Sequence, residues 1–275
     1  MTKVVEIKQV VREYDRTKNR LILLDYDGTL VPFGTDHRIT DPGEGVISLL
    51  HSLAASRENC VILISGRDKE YLENHFKGVP IILVAEHGGY YKSSDGNWNT
   101  MFMSSMSWIP QALTALQALV FQFVGSYIEQ KTFSLAWHYR KIADRITDAE
   151  IQQILTALRS LPEHQHFVIY DCEFTIELRT PEIDKGTFIS RWVGGRYFDF
   201  ILSLGDSQTD EDVFKRLGDD AFSIKVGNPL GSAARYYLAS QQEVLPFLRE
   251  LLERSNNELN LNEFNGLERV RKSTP

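Results

Sequence analysis

Residues 23–30 read LLDYDGTL, and the fold turns on how this stretch is understood. A short apolar run, Leu21 to Tyr26, carries Asp25 near its end, and Asp27, Gly28 and Thr29 follow directly. Continuous apolar runs of this length are typical of strands buried on both faces, which occur mainly in parallel sheets covered by helices. In such sheets ligands bind beyond the carboxyl ends of the strands. Two like charges at that edge are a solvated turn, a metal site, or a nucleophile with its acid/base partner. An Asp-Gly turn is common in hairpins, but Leu30 to Phe33 contains Pro32 and does not read as a returning strand.

Outward from this strand, helix and strand patterns alternate. Val4, Ile7, Val11 and Tyr14 recur at helical spacing and predict an amphipathic helix that ends in the polar stretch Asp15 to Arg20. Downstream come a helix over Gly45 to Ala55, a strand over Val61 to Ile64, a helix over Lys69 to Phe76 and a strand over Ile81 to Ala85. Such alternation implies right-handed crossovers and a mainly parallel sheet.

The middle of the chain differs. After the turn Ser93 to Asn97, a helix from Ile109 to about Val124 leads to an alternating strand, Thr132 to Tyr139. A helix over Ala149 to Leu161 and two strands, Phe167 to Tyr170 and Phe174 to Leu178, complete the block. The parallel pattern then resumes with a helix from Lys185, strand Phe200 to Leu204, a helix near Asp212 to Leu217, strand Ala221 to Val226 and a helix near Val244 to Glu253. The expected class is α/β: a Rossmann-like parallel core with an inserted α/β cap. Residues 1–106 form the first part of the core, 107–180 the cap, 181–254 the second part, and 255–275 a polar, Asn-rich, disordered tail. The two core halves must pair across the insertion, and the site should lie where strand ends meet the cap.

Composition removes several classes of function. With 43% apolar and 24% charged residues, the chain resembles an ordinary soluble domain rather than a disordered or membrane-resident one. The 30 Lys and Arg are outnumbered by 37 Asp and Glu, and no basic block interleaved with aromatics occurs, which argues against nucleic acid. An anionic substrate must then be drawn by a few local cations or a metal. The charged N-terminal segment lacks the apolar centre of a secretory signal, no stretch is long enough to span a bilayer, and a cytoplasmic location is expected. Cys60 and Cys172 alone give no disulfide framework and are expected to be structural thiols.

Three further clusters sit at strand ends or helix starts. Ser65, Gly66 and Arg67 follow the strand Val61 to Ile64; Asp184, Lys185 and Gly186 open a helix; and Asp206 and Asp210 lie in SLGDSQTDED after the strand Phe200 to Leu204. Singly each has an ordinary explanation: capping, a surface lysine, solvated acids. Together, and in this order, they resemble the haloacid dehalogenase superfamily of phosphotransferases, whose pattern is Asp-x-Asp-x-Thr, then Ser or Thr, then Lys, then Gly-Asp-x-x-x-Asp. The resemblance implies that Asp25 is the nucleophile, Asp27 the acid/base and Lys185 a catalytic cation. It also implies that Thr29, Ser65, Gly66 and Lys185 hold the phosphoryl group. Mg²⁺ is then bound by Asp25, the Asp27 carbonyl and Asp206, with Asp210 in support.

The words LLDYDGTLVPF, ISGRD, AEHGGYY, EQKTFSLAWHYR, IELRTPEIDKG and LGDSQTDEDVF are similar to those of the trehalose-6-phosphate phosphatase family. That resemblance implies Mg²⁺-dependent hydrolysis of trehalose 6-phosphate in trehalose biosynthesis, with Arg67, His87, Glu129, Lys131, Arg140 and Glu177 at the substrate. Glu86 belongs to a signature near the site. A disaccharide offers many hydroxyls, and buried donors and acceptors left unpaired by the wrong sugar discriminate against it. The lead-in through Arg20 resembles the phosphatase part of two-domain proteins, so a synthase domain or subunit is the implied partner. Ser207 departs from the pattern, standing where the family commonly has a second acid. Trp137 and His138, adjacent in an alternating strand, read as packing. Residues alone leave open a phosphatase for sucrose or glucosylglycerol phosphate, a phosphomannomutase, or a silent regulatory module.

Overall fold

The structure, a computed structural model, describes residues 2–33, 41–103 and 105–253. The tail expected over 255–275 lies outside the described residues.

The first part of the chain builds β1 (Lys3–Val4), α1 (Ile7–Arg16), β2 (Arg20–Leu24), α2 (Gly43–Ala55), β3 (Asn59–Ile64), α3 (Lys69–Phe76), β4 (Ile82–Ala85) and β5 (Tyr90–Lys92). A second unit follows, with α4 (Ile109–Gln122), β6 (Tyr127–Gln130), β7 (Ser134–His138), α5 (Asp148–Arg159), β8 (Val168–Cys172) and β9 (Thr175–Arg179). The chain then returns with α6 (Lys185–Val193), β10 (Phe200–Gly205), α7 (Gln208–Leu217), β11 (Phe222–Val226), β12 (Tyr236–Leu238) and a helix α8 over 244–253.

Eight strands form one sheet in the order β1-β12-β11-β10-β2-β3-β4-β5. Every pair is parallel except β4 with β5. All five residues of β2 are buried, because its two faces are covered by different layers. Leu21 and Leu23 pack with Phe188 and Trp192 of α6 and Val213 of α7. Ile22 and Leu24 pack with residues of α1, α2, α3 and α8. The period of two along one strand therefore divides its side chains between the two layers.

Pairing aligns Leu24 with Leu204 of β10 on one side and Leu63 of β3 on the other. This register brings the loops that begin at Asp25, Ser65 and Asp206 to one edge of the sheet, where successive connections run to opposite sides. At the opposite edge, Arg20 donates to the Tyr14 carbonyl at 2.7 Å and pairs with Glu58 at 3.0 Å. A cavity of about 800 Å³ opens there beside Tyr14, Lys18 and Arg249, and none of the strand-end carboxylates reaches it.

The inserted unit has its own four-stranded antiparallel sheet, β6-β7-β9-β8. Leu135, Trp137, Ile176 and Leu178 bury one face against α4 and α5. The other face looks toward the core and bears Glu129, Ala136, Glu177 and Tyr170 in one cross-strand row. Thr147 and Glu150 form a capping box that starts α5. The sequence patterns lacked four of the strands: β1, β5, β6 and β12. Val4 lies in β1, paired with Tyr237, rather than in the first helix.

Candidate active site

The two acids of LLDYDGTL are separated by their surroundings. Asp25 is buried, its backbone N–H bonded to the Leu204 carbonyl at 3.1 Å. Gly28 turns the chain with φ 81°, and a Cβ there would stand 2.4 Å from Asp206 Oδ2, so the tight approach of the two halves requires glycine. Thr29, fully buried, donates its hydroxyl to Asp206 Oδ1 at 3.3 Å.

Lys185, at the first position of α6, is 1% exposed and sits among carboxylates. Its ammonium donates to Asp25 Oδ1 at 2.5 Å and to Asp210 Oδ1 at 2.8 Å. The other oxygen of Asp210 accepts from the N–H of Asp206 at 3.1 Å, the N–H of Ser207 at 2.9 Å and the Ser207 hydroxyl at 2.8 Å. Lys225 of β11 donates to the Asp206 carbonyl. Burial raises the Asp25 carboxyl well above the usual range, and Asp210 and Asp206 add to the rise while Lys185 opposes it. Burial and Asp210 push Asp206 up to about 6. Burial works against the Lys185 charge, yet Asp210 and Asp25 more than offset it and the ammonium is held more firmly than an ordinary lysine.

Asp25, Asp206 and Asp210 bring oxygens within 4.8 Å of one another, a spacing able to surround a cation. Asp210 is already taken by Lys185 and by the loop, so Asp25 and Asp206 are the carboxylates left for a metal.

Asp27 is held by a different partner. Arg67 grips it with two nitrogens, Nε to Oδ2 at 2.8 Å and Nη2 to Oδ1 at 2.5 Å. The guanidinium lies 4.3 Å from the Tyr71 ring centroid, which braces the pair. The resemblance places Arg67 at the substrate; here its guanidinium pairs with Asp27. Ser65 is buried, its Oγ accepting from the Arg67 N–H at 3.1 Å. Gly66 leaves room for a ring, since a Cβ there would meet His87 at 2.6 Å.

Between core and cap lies a cleft of about 570 Å³, lined by Asp25, Ser65, His87 and Lys185 below and by His138 and Glu177 above. Glu129 joins Lys131 at 3.1 Å and His138 Nε2 at 3.0 Å, and the other ring nitrogen of His138 lies 3.1 Å from the Thr175 hydroxyl. Against the pull of burial, Glu129 and Glu177 raise the Lys131 ammonium. His87 approaches Glu177 at 3.7 Å, but burial, followed by Arg179, Lys185 and Lys131, holds its imidazole well below the usual histidine range. Arg140 is at the rim, exposed and paired with Glu173 at 3.3 Å.

Two sequence readings change here. His138, read as packing, lines the cleft and bonds to Glu129; its alternation with the apolar Leu135 and Trp137, which puts it on the opposite face of the strand, was the available signal. Cys172, read as a structural thiol, is exposed and also lines the cleft. Arg179 is 1% exposed and stacks on Tyr170 at 4.0 Å, and among the described residues no hydrogen-bond acceptor meets any of its guanidinium nitrogens.

An aspartate after the central strand, met by a lysine and an acid from the other half of the sheet beneath an inserted unit, is an arrangement of the haloacid dehalogenase-like fold class. A haloacid dehalogenase-like hydrolase from Bacteroides thetaiotaomicron shares this fold, with a TM-score of 0.61 at 15% identity, covering 86% of this chain and 99% of that one. Within that class the chain belongs to the trehalose-phosphatase family, whose model matches residues 23–242. It is similar to a bifunctional trehalose-6-phosphate synthase/phosphatase from Thermoproteus tenax, 30% identical over 247 residues that make up 90% of this chain and 34% of the relative. The chain spans about a third of the length of the curated relatives it matches first. It also resembles the C-terminal domain of the Candida albicans trehalose-6-phosphate phosphatase, with a TM-score of 0.84 and 26% identity over 92% of this chain and 98% of that one. No helix among the described residues is long and apolar enough to cross a membrane.

Proposed function

We propose that the chain hydrolyses trehalose 6-phosphate to trehalose and phosphate, with Mg²⁺ as its metal. The observation that carries this reading is the buried Lys185 ammonium, 2.5 Å from Asp25, at the floor of a cleft roofed by His138 and Glu177. The floor supplies groups for a phosphoryl transfer, and the roof supplies donors and acceptors for sugar hydroxyls.

In the first step an Asp25 oxygen attacks phosphorus, the bond from phosphorus to the sugar oxygen breaks, and Asp27 gives that oxygen a proton. In the second, water attacks phosphorus and passes a proton to Asp27, and the bond to Asp25 breaks to restore the carboxylate. Arg67 orients Asp27 for both transfers. Lys185, the Ser65 hydroxyl and the Gly66 backbone hold the phosphoryl oxygens, and Thr29 holds Asp206. Glu129, Lys131, His138 and Glu177 read the sugar, with His87 between phosphate and sugar and Arg140 at the entrance.

The donor set fits a hard cation. Asp25 and Asp206 are both raised by burial and by neighbouring acids, so a buried and a half-buried carboxylate call for more positive charge than Lys185 alone supplies. Asp25, Asp206 and the Asp27 carbonyl would hold Mg²⁺, which when bound neutralises charge so that an anion can approach an anion. The segment 107–180 is the substrate-selecting cap in this reading. A synthase domain or subunit is the partner we propose, because the T. tenax relative is described as both synthase and phosphatase.

Phosphate release from a panel of trehalose 6-phosphate, glucose 6-phosphate and sucrose 6-phosphate, with and without a chelator, tests this. The expected result is at least about tenfold preference for the trehalose ester in kcat/KM, lost on chelation and restored by Mg²⁺. Preference for either other ester, or no release from any, would overturn it.

A further inference from the structure

Glu86 and His87 follow β4 with φ of 49° and 57°, two of three non-glycine residues with positive φ among those described. Left-handed backbone at consecutive bulky residues persists only where the surroundings impose it, and such positions concentrate at functional sites. Here two sets of contacts impose it. On the core side, the Glu86 N–H donates to the Arg67 carbonyl at 2.8 Å and the His87 N–H to the Ser65 carbonyl at 2.9 Å, tying the loop to the strand end that holds Ser65. On the cap side, Glu86 Oε2 accepts from the N–H of Thr132 at 2.9 Å and of Phe133 at 3.1 Å.

Glu86 is 4% exposed, and its carboxylate does not line the cleft. Its cap partners belong to the turn between β6 and β7, in which Lys131 is the preceding residue. That turn sits beside both crossings of the chain between the sheets. The Phe133 carbonyl accepts from the Thr180 N–H at 3.1 Å, and Trp108 Nε1 donates to the Thr180 hydroxyl at 3.3 Å. Phe133 also packs with Phe102 and Ile183, and its ring lies 5.1 Å from that of Tyr90. Glu86 thus joins the backbone of the phosphate side, through its own N–H, to the backbone of the sugar side, through its carboxylate.

We propose that Glu86 is a positioning residue that seats the cap on the core, fixing the span between the strand end holding Ser65 and the turn carrying Lys131. This rests on the sugar-phosphate reading given above. A substrate that reaches both ends of the cleft depends on that span, whereas a small aryl phosphate engages only the floor. Remote contacts of the larger substrate then lose their alignment when the seat is removed.

Steady-state kinetics of full-length Glu86→Ala, Glu86→Asp and Glu86→Gln with trehalose 6-phosphate and p-nitrophenyl phosphate test the proposal. Glu86→Ala should lower kcat/KM for the sugar ester by about tenfold or more, mainly through KM, and for the aryl ester by no more than about threefold. Glu86→Asp, which keeps the charge but withdraws it, should show the same split and serves if the alanine variant does not fold. Glu86→Gln, which keeps an acceptor of the same reach, should stay closer to the parent. Parallel loss on both esters, or an unchanged KM for the sugar ester in both Glu86→Ala and Glu86→Asp, would overturn it. If the parent protein prefers a different sugar phosphate, the substrate reading fails, and the split is measured on the preferred ester.

Discussion

At the residue scale, a lysine shared by two acids explains how charges survive at the end of an apolar strand. A buried charge is expensive unless it is paired and hydrogen-bonded. Lys185 meets that condition for Asp25 and Asp210 together, while Thr29 bonds to Asp206. His87 illustrates the opposite choice. Burial, Arg179, Lys185 and Lys131 keep its imidazole neutral in the folded protein, while the unfolded chain takes up a proton near pH 6.5. The unfolded state therefore binds more protons below that pH, so this contribution to stability is complete above about pH 6.5 and is lost as pH falls, by at most about 1.4 kcal/mol per pH unit. A His87→Gln variant should lose less of its denaturant midpoint than the parent between about pH 6.5 and 5. Equal slopes would remove His87 from the acid response. Asp25, Asp27, Lys185 and Asp206 were legible in the sequence because each stands at a strand end or helix start. The grip of Arg67 on Asp27 was not, because pattern reading assigns positions to elements and does not say which side chains meet. The same holds for Glu86, which bonds a residue 46 positions away.

At the element scale, α6 and α7 present the site from the second half of the core. They approach so closely that a Cβ on Gly186 would stand 2.3 Å from the Asp212 backbone oxygen. Gly186→Ala must push the helices apart, and overpacking of this kind costs about 1–3 kcal/mol. Because Lys185 precedes Gly186 and bonds Asp210 of α7, the same displacement should loosen that pair. Both the urea midpoint and phosphate release should fall. A variant with parental stability and turnover would show that the helices yield without effect. Helix α3 was legible to its bounds because Asp68 caps it, accepting from the Tyr71 N–H at 2.7 Å. Strands β1, β5 and β12 escaped because two or three residues carry too little periodicity and tertiary pairing alone defines them. Strand β6 was lost because the preceding helix pattern runs to Val124, leaving Tyr127–Gln130 too short to alternate convincingly.

At the scale of the whole molecule, the site exists only because distant parts of the chain share one sheet edge. β2 lies between β3, its successor among the strands, and β10, which comes after the entire inserted unit. The alternation of strands and helices announced a parallel sheet and an insertion, but not this order, since hydrophobic periodicity is a local property and strand neighbours here are set by packing across the chain. The central proposal for this arrangement is that Asp25 receives the phosphoryl group of trehalose 6-phosphate. The most direct test is rapid acid quenching of the protein during turnover of trehalose 6-phosphate with Mg²⁺, followed by peptide mass analysis. A phosphoryl adduct is expected on the peptide containing Asp25, absent from Asp25→Asn, which should also release no phosphate. An adduct on another residue, or undiminished turnover by Asp25→Asn, would contradict it.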